Sequence, residues 1–577
     1  MPRLIIDNRE VEVPSGATIL DAAEKLGIHI PTMCFLKGYE PSTSCMVCVV
    51  KIEGREAFTP ACGSIAQDGM RVNTNSPEVR QARKTALELL LSDHLGDCMG
   101  PCQVTCPAGM NIPLMIRQIA AGNLHHAIAT VKRDIALPAV LGRICPAPCE
   151  KACRRAQFDQ AVSICLLKRY VADVDLQSSQ PYLPPCKTSQ GKRVAIIGAG
   201  PAGLAAAYYL QQQGYDCTIF DQREKPGGAL RYAVPQEKLP TNILDKEISL
   251  IERLGVKFQG QTRIGQTLSL NQLRRDFDAV FVAVGQLQPS DLPSPAEAGY
   301  AKAGAECLGL AAGPHGIVTD AGTYQTSLPG VFAGGDAVRA RRLTVRAAAD
   351  GKEAVASIVQ YLSGQEVTGP RKAFNIHIGK LTDEEMKEFV AGASTTPRVT
   401  PSQEGGGFTD EQAESESARC LHCDCRKAES CKLRLYAQEY EARPSRYKNQ
   451  KTEDRRQRTE DRGQKTEDRP ASSAVCSPSS DLRYEPGKCI KCGLCIKIVA
   501  AAGERPGLTF VGRGFDVRVA VPFSPATGGQ GLPPAQVRGL TTLTLKTAAG
   551  QCAAACPTGA LFSRRRHGDG PHNKLRG

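Results

Sequence analysis

Twenty-four cysteines stand in tight groups, with long stretches between the groups that hold few or none. That distribution constrains the fold more than any other feature, because scattered packing cysteines do not cluster. The chain opens directly on the alternating pattern "MPRLIIDNREVEVP". It shows no basic stretch followed by an apolar one, so no signal peptide is expected. No uninterrupted apolar run is long enough to span a bilayer, so no transmembrane segment is expected. A cytoplasmic chain keeps its thiols reduced, and grouped cysteines in that compartment point to metal rather than disulfides. The net charge of +13 has no zinc-finger, RRM-like or helix-turn-helix pattern beside it, so no nucleic-acid partner is expected.

The groups have distinct spacings. Cys34, Cys45, Cys48 and Cys62 follow C-x10-C-x2-C-x13-C in a β-rich segment. A second group runs "HLGDCMGPCQVTCPAG" with Cys98, Cys102 and Cys106, then "GRICPAPCEKACRR" with Cys145, Cys149 and Cys153. The third, "RCLHCDCRKAESC", holds Cys420, Cys423, Cys425 and Cys431. Four thiolates there suit tetrahedral zinc or a [4Fe–4S] cluster, with iron preferred amid other clusters. Thr409 and Gln412 form a capping box that starts the helix leading into it. The last group is "GKCIKCGLCIK", with Cys489, Cys492 and Cys495. Val499 stands where a ferredoxin run would carry its fourth cysteine, and Cys556, followed by Pro557, is the remote fourth ligand of one [4Fe–4S] site. Cys552 reads as a bystander.

Between these groups the pattern is modular. Residues 1–93 form a β-rich head carrying the first cysteine group, and 94–180 a helical domain carrying the second. Alternating strands and helices over 190–365 predict a parallel α/β sheet. A Cys-motif segment follows at 366–442. The tetrad Thr-Glu-Asp-Arg then recurs every seven residues with no apolar seam, so 443–481 is expected to be a disordered linker. A small 4Fe–4S ferredoxin-like domain at 482–565 and a basic tail at 566–577 complete the chain. The fold class is multidomain α/β plus α+β.

"RVAIIGAGPAGLAAAYYLQQQGYDCTIFD" reads as strand, glycine turn, helix and second strand. Gly198 permits the turn, Gly200 lets the backbone approach a pyrophosphate, and Gly203 allows close helix–strand packing. The helix beginning Pro201-Ala202 turns its positive dipole end to the phosphates. Asp221 ends the second strand, placed to accept hydrogen bonds from a ribose.

Several of these motifs carry a family resemblance. "TSLPGVFAGGDAVRARRLTVRAAADGKEAVASIV" resembles the second FAD fingerprint of two-dinucleotide flavoproteins, which implies roles for Gly335, Asp336 and Thr344. "EKPGGALRYAVPQEKLP", with Gly228 and Lys238, is similar to the flavin-crossing loop of the glutamate synthase small-chain family. That family inserts an NADPH-binding module before the last FAD motif. About 31 residues fill the place here, fewer than a nucleotide domain needs, so the usual NADPH insert is expected to be missing. The head, through "PTMCFLKGYEPSTSCMVCVVKIEG", resembles the β-grasp-like [2Fe–2S] domain of the complex I large iron–sulfur subunit and its relatives in hydrogenases and formate dehydrogenases.

The second cysteine group resembles the two-cluster helical domain of the glutamate synthase small chain and dihydropyrimidine dehydrogenase. His94 stands where the first family cysteine would be, as a ligand or as a capping or supporting histidine. The family pairing implies one cluster on His94, Cys98, Cys102 and Cys153. The other takes Cys106, Cys145 and Cys149, with Lys168 at the family's non-cysteine position and Cys165 one turn earlier as a further candidate.

These resemblances imply an FAD-dependent iron–sulfur oxidoreductase subunit with one [2Fe–2S] and three or four [4Fe–4S] clusters. Its partners would be other redox subunits, of the NADH-binding flavoprotein, hydrogenase or formate dehydrogenase type, or a ferredoxin. The rival readings are a self-sufficient NAD(P)H-acceptor reductase and a non-catalytic, metal-stabilised scaffold. No catalytic nucleophile–base pair is evident.

Overall fold

The computed structural model describes residues 1–286, 308–381, 383–390, 393–403, 405–447, 482–504, 507–511, 517–520, 541–542, 545 and 547–563. The Thr-Glu-Asp-Arg repeats and the basic tail lie outside the described residues, as does most of the short segment where an NADPH insert would stand. The chain forms two compact units. One gathers 1–99, 373–392 and the chain from 424 onward; the other gathers 100–372 and 393–423. The 366–442 segment is therefore divided between them, and residues 94–99 cluster with the first unit.

The first unit opens with β1 (Arg3–Ile6) and β2 (Arg9–Glu12), paired antiparallel so that Ile6 faces Arg9. Asp7 and Asn8 between them both have positive φ (47° and 63°). That is a type I′ hairpin, whose twist matches the strands and which Asn and Asp tolerate. Leu4 and Ile6 point inward beneath the helix Ile19–Lys25. Thr18 and Asp21 close a capping box at that helix. β3 (Val49–Ile52), β4 (Thr59–Pro60) and β5 (Arg71–Asn73) complete a sheet of order β2-β1-β5-β3-β4, in which only β1 and β5 run parallel. Ser76 caps the following helix, Pro77–Asp93, and Pro77 takes its first position.

The second unit begins with short helices, several opening on proline: Pro101–Thr105, Pro138–Ile144 and Pro148–Lys151. Proline is tolerated there because the first helical N–H has no intrahelical partner. A five-stranded sheet follows, made of β6 (Arg193–Ile197), β7 (Asp216–Phe220), β8 (Lys257–Gln259), β9 (Ala279–Val282) and, after a hairpin of β10 (Ala312–Gly313) and β11 (Gly316–Ile317), β12 (Val331–Ala333). The order is β12-β9-β6-β7-β8 and every pair is parallel. β6 and β9 are almost wholly apolar, as strands covered on both faces must be. Helices Pro201–Gln212 and Thr344–Leu362 pack face to face. A Cβ on Gly351 would lie 2.2 Å from the Ala202 carbonyl oxygen, so only glycine permits that approach.

The capping box read at Thr409 and Gln412 is present, and starts the helix Asp410–Ser417 in this unit. The chain then returns to the first unit through Lys432–Glu439. The terminal portion has β13 (Leu482–Tyr484) flanked antiparallel by β16 (Thr541–Thr542) and β17 (Leu561–Ser563), a separate pair β14 (Thr509–Val511) and β15 (Arg518–Ala520), and helices Leu494–Ala501 and Ala549–Ala555. No helix among the described residues is long and apolar enough to cross a membrane.

Candidate functional site

The glycine turn of the parallel sheet is built to the limit of backbone approach. Gly198 has φ +104°, and a Cβ on Gly203 would lie 1.9 Å from the Gly198 carbonyl oxygen. Gly200 has open space on its own Cβ side, the face a phosphate would occupy. The Gly227-Gly228 loop crosses directly over it. The Gly227 N–H donates to the Ala199 carbonyl at 2.9 Å, and a Cβ on Gly228 would meet Gly200 Cα at 2.8 Å. Gly335, on the turn after β12, has φ +68°, and its Cβ would stand 3.0 Å from the Ala202 side chain. The two glycine motifs and the crossing loop therefore converge on one cradle, with Thr344 opening the helix beside it.

Asp221 does more than end β7. Its carboxylate accepts the Ala199 N–H at 2.6 Å and the Arg223 N–H at 2.8 Å, so it braces the glycine turn. Asp336 accepts the Arg341 N–H at 3.1 Å. Lys238 is exposed.

Cys34, Cys45, Cys48 and Cys62 are all buried and meet one another. Hydrogen bonds from Cys45 and Cys62 hold the Cys34 thiol far below its ordinary range, and one from Cys62 lowers Cys48. Cys489, Cys492, Cys495 and Cys556 likewise share one site. Burial first, then their mutual influence, raises Cys492 and Cys495, and Cys492 also feels Cys34. Cys552 is buried and directs its thiol to the Cys495 carbonyl.

Of the remaining thiols, Cys106, Cys145 and Cys149 come together as the family pairing implied, and the others are grouped differently. Cys106, Cys145, Cys149 and Cys165 line one cavity with Lys168 and Val345. Cys165 hydrogen-bonds to Cys145, lowering the Cys145 thiol to about 6, and so stands as the fourth thiol of that set. Lys168 turns its ammonium to the Leu141 carbonyl at 3.1 Å. Cys102 and Cys153 stand not with Cys98 but with Cys420 and Cys423: burial, then the Cys420, Cys423 and Cys153 thiols, push Cys102 well above its ordinary value. Cys98 instead meets Cys425 and Cys431. The Cys425 N–H donates to the Cys98 carbonyl at 3.2 Å, and burial followed by Cys425 raises Cys431 to about 12. His94 is buried four residues before Cys98. The expected quartet of Cys420, Cys423, Cys425 and Cys431 is thus split in the middle of its loop. The physical reason is that 393–423 packs in one unit and the chain from 424 in the other.

Four of these loops share a local build. At Cys45, Cys145, Cys420 and Cys489 the N–H two residues on points at the cysteine sulfur; the distance is 3.4 Å from His422 to Cys420 and from Lys491 to Cys489. A residue next in each loop has positive φ: Met46, Ala147, His422 and Lys491. Such N–H···S bonds favour the charged sulfur. Among the described residues no three His, Cys, Asp or Glu side chains sit at the spacing of a single bound ion; the thiols meet in the wider sets above.

Spacing could not reveal what holds these loops. Arg155, Arg419 and Glu416 are fully buried. Glu416 accepts the Ser163 N–H at 2.7 Å, the Val399 N–H at 2.8 Å and Arg419 at 2.9 Å, while Arg155 donates to the Arg419 carbonyl at 2.6 Å. This network pins the residue before Cys420 to the helices carrying Cys153. In the first unit Lys488 is buried against Gly96. Burial opposes its charge, but Glu485 and Cys425 override that and hold the proton above the ordinary range.

Comparison with known proteins gives independent support. Residues 3–77 match the family described as 2Fe-2S iron-sulfur cluster binding domain. Residues 92–180 match dihydropyrimidine dehydrogenase domain II, 4Fe-4S cluster. Residues 196–254 match NAD(P)-binding Rossmann-like domain. The chain is 40% identical over 206 residues to the NADP(+)-dependent formate dehydrogenase subunit beta of Moorella thermoacetica, covering 32% of this chain and 29% of that one. It is 43% identical over 195 residues to the NAD-dependent dihydropyrimidine dehydrogenase subunit PreT of Escherichia coli O157:H7 (33% and 47%), and 36% identical over 189 residues to the glutamate synthase [NADPH] small chain of Bacillus subtilis strain 168 (32% and 38%). The matches therefore span less than half of each relative. The chain carries a [2Fe–2S]-binding domain, a [4Fe–4S]-binding domain and an NAD(P)-binding Rossmann-like domain, each related to those of known oxidoreductases.

Proposed function

We propose that this chain is an FAD- and iron–sulfur-dependent electron-transfer subunit of a cytoplasmic oxidoreductase, handing electrons between a flavin, a series of clusters and partner redox subunits. The observation that carries the reading is the cavity of Cys106, Cys145, Cys149 and Cys165. Its wall includes Val345, the residue after Thr344 in the motif expected to hold the flavin. When bound, FAD would supply the exchange between paired and single electrons. Gly198, Gly200, Pro201, Ala202 and Gly203 would cradle its pyrophosphate, with Asp336 on the ribityl chain, Gly228 and Lys238 in the crossing loop, and Asp221 bracing the turn and facing the ribose. Apolar side chains around Cys102, Cys106, Cys149 and Cys420 form one continuous core in that unit, and those around Cys34, Cys98, Cys431 and Cys492 form another in the first unit. Each core excludes water from the intervals electrons would cross.

A second reading, a self-sufficient NAD(P)H reductase, is favoured by the family description at 196–254 and by the relatives' names. Against it, hydride transfer requires a nicotinamide held at ~3–3.5 Å from the flavin. In the resembled family a second nucleotide domain does that holding, and 286–316 is too short to build one. Anaerobic purification should yield one FAD and about 14–18 iron atoms per chain. NADH or NADPH should not bleach the flavin on a millisecond scale without a partner, whereas a low-potential donor should reduce it. Millisecond bleaching would promote the self-sufficient reductase, and zinc without flavin would leave only the metal-stabilised scaffold.

A further inference from the structure

We infer that the loop Cys420–Cys431 serves two clusters rather than one. Cys420 and Cys423 complete a four-thiolate site with Cys102 and Cys153. Cys425 and Cys431 complete another with Cys98. The inference rests on the reading above that these sites hold clusters, and it deepens that reading by assigning the ligands.

Three independent observations carry it. The first is adjacency. Cys102, Cys153 and Cys420 pack against one apolar core, while Cys98 and Cys431 belong to another; the thiols acting on Cys102 are, in order, Cys420, Cys423, Cys153 and then Cys149. The second is local geometry. The Cys420-x2-Cys423 loop repeats the build of Cys489-x2-Cys492: in each, the residue before the second cysteine has positive φ (49° and 55°) and donates its N–H to the first sulfur at 3.4 Å. Cys431 differs: it is the N-cap of helix Lys432–Glu439 and takes the Leu433 and Arg434 N–H groups without a positive-φ residue. The third is support. The helix leading into Cys420 is fixed by Glu416 and Arg419 to residues 155–163 beside Cys153. Cys425 is fixed elsewhere, by its N–H to the Cys98 carbonyl and by Gly559, whose hydrogen faces the Cys425 sulfur so closely that a Cβ would stand 2.2 Å from it. Lys432 N–H donates to the Pro557 carbonyl at 2.9 Å and secures the far end of the same loop. The alternation along the chain is then regular: Cys98 to one site, Cys102 to the second, Cys106 to a third, and the later loop returns Cys423 and Cys425 to two of them.

The test is a cycle of paired substitutions in the full chain, purified anaerobically and read by iron, acid-labile sulfide and low-temperature EPR. Two substitutions in one site remove that cluster once; two in different sites remove two. Cys102→Ala with Cys423→Ala should lose about four irons, no more than either alone, while Cys423→Ala with Cys431→Ala should lose about eight. The reverse pattern overturns the assignment. Should the alanine variants fail to fold, Cys102→Ser and Cys423→Ser should each perturb the same EPR signal, and Cys431→Ser a different one; a shared signal for Cys423→Ser and Cys431→Ser overturns it equally. If the purified chain carries zinc in place of iron, the cluster reading fails, yet the same pairs still report the grouping through zinc stoichiometry.

Discussion

Glu416→Gln separates a positioning role from a surface one. Glu416 is fully buried, and its two oxygens serve three donors: the Ser163 and Val399 N–H groups and the Arg419 guanidinium. Glutamine keeps the shape but replaces one oxygen with an NH2 group, so at least one donor then faces a donor. It also removes the charge that Arg419 meets at 2.9 Å, leaving Asp159 at 3.2 Å as the remaining carboxylate. Breaking one partner out of a buried ion pair costs about 3–5 kcal/mol, and an unsatisfied buried N–H alone costs about 1–3. The substitution should therefore lower the Tm by roughly 6–20 °C at the 2–4 °C per kcal/mol of a large domain. Because the network ends at the residue before Cys420, the first cluster lost on warming should be the one on Cys102, Cys153, Cys420 and Cys423. Scanning calorimetry alongside EPR of anaerobic samples would read both. A Tm within about 1 °C of the parent, with every signal retained, would refute the reasoning.

Glu247 predicts a pH effect. Burial raises its carboxyl to about 7, against the opposing N–H bonds from Ala139 and Val140. The folded chain then binds this proton more tightly than the unfolded one, so the stability is fully present below about pH 4 and is lost as pH rises to about 7, by roughly 3 kcal/mol. Glu247→Gln should flatten that limb of a pH–stability curve measured in denaturant; an undiminished slope would count against it. Gly203→Ala puts a methyl 1.9 Å from the Gly198 oxygen and should abolish flavin retention, read by absorbance after gel filtration; normal flavin content would contradict the cradle. Asp336→Ala should weaken flavin binding by ~1.5–3 kcal/mol while leaving the Cys489–Cys556 cluster in place. Equal flavin occupancy in a dialysis titration would argue against a ribityl contact.

By itself the sequence determined the local pieces. The apolar runs at Arg193–Ile197 and Asp216–Phe220 around Gly198, Gly200 and Gly203 could only be a strand–turn–helix–strand unit, because glycine alone allows those approaches. Thr409 before Gln412 marked a helix start through bonds that span three residues. The C-x2-C loops declared metal ligation for the same reason: their geometry is set within a few residues. Which partners the thiols of the third group and Cys98, Cys102 and Cys153 take was not legible, because that depends on where distant segments return. Spacing assigned Cys420, Cys423, Cys425 and Cys431 to one set, and tertiary packing divides them. Buried charges on Glu416 and Arg419 hold 393–423 to the helical region, while the chain from Asp424 packs beside Cys98. Between the two candidates Lys168 and Cys165, packing decides: helix Ile164–Gln177 lies on Pro138–Ile144 and sets the Cys165 thiol against Cys145.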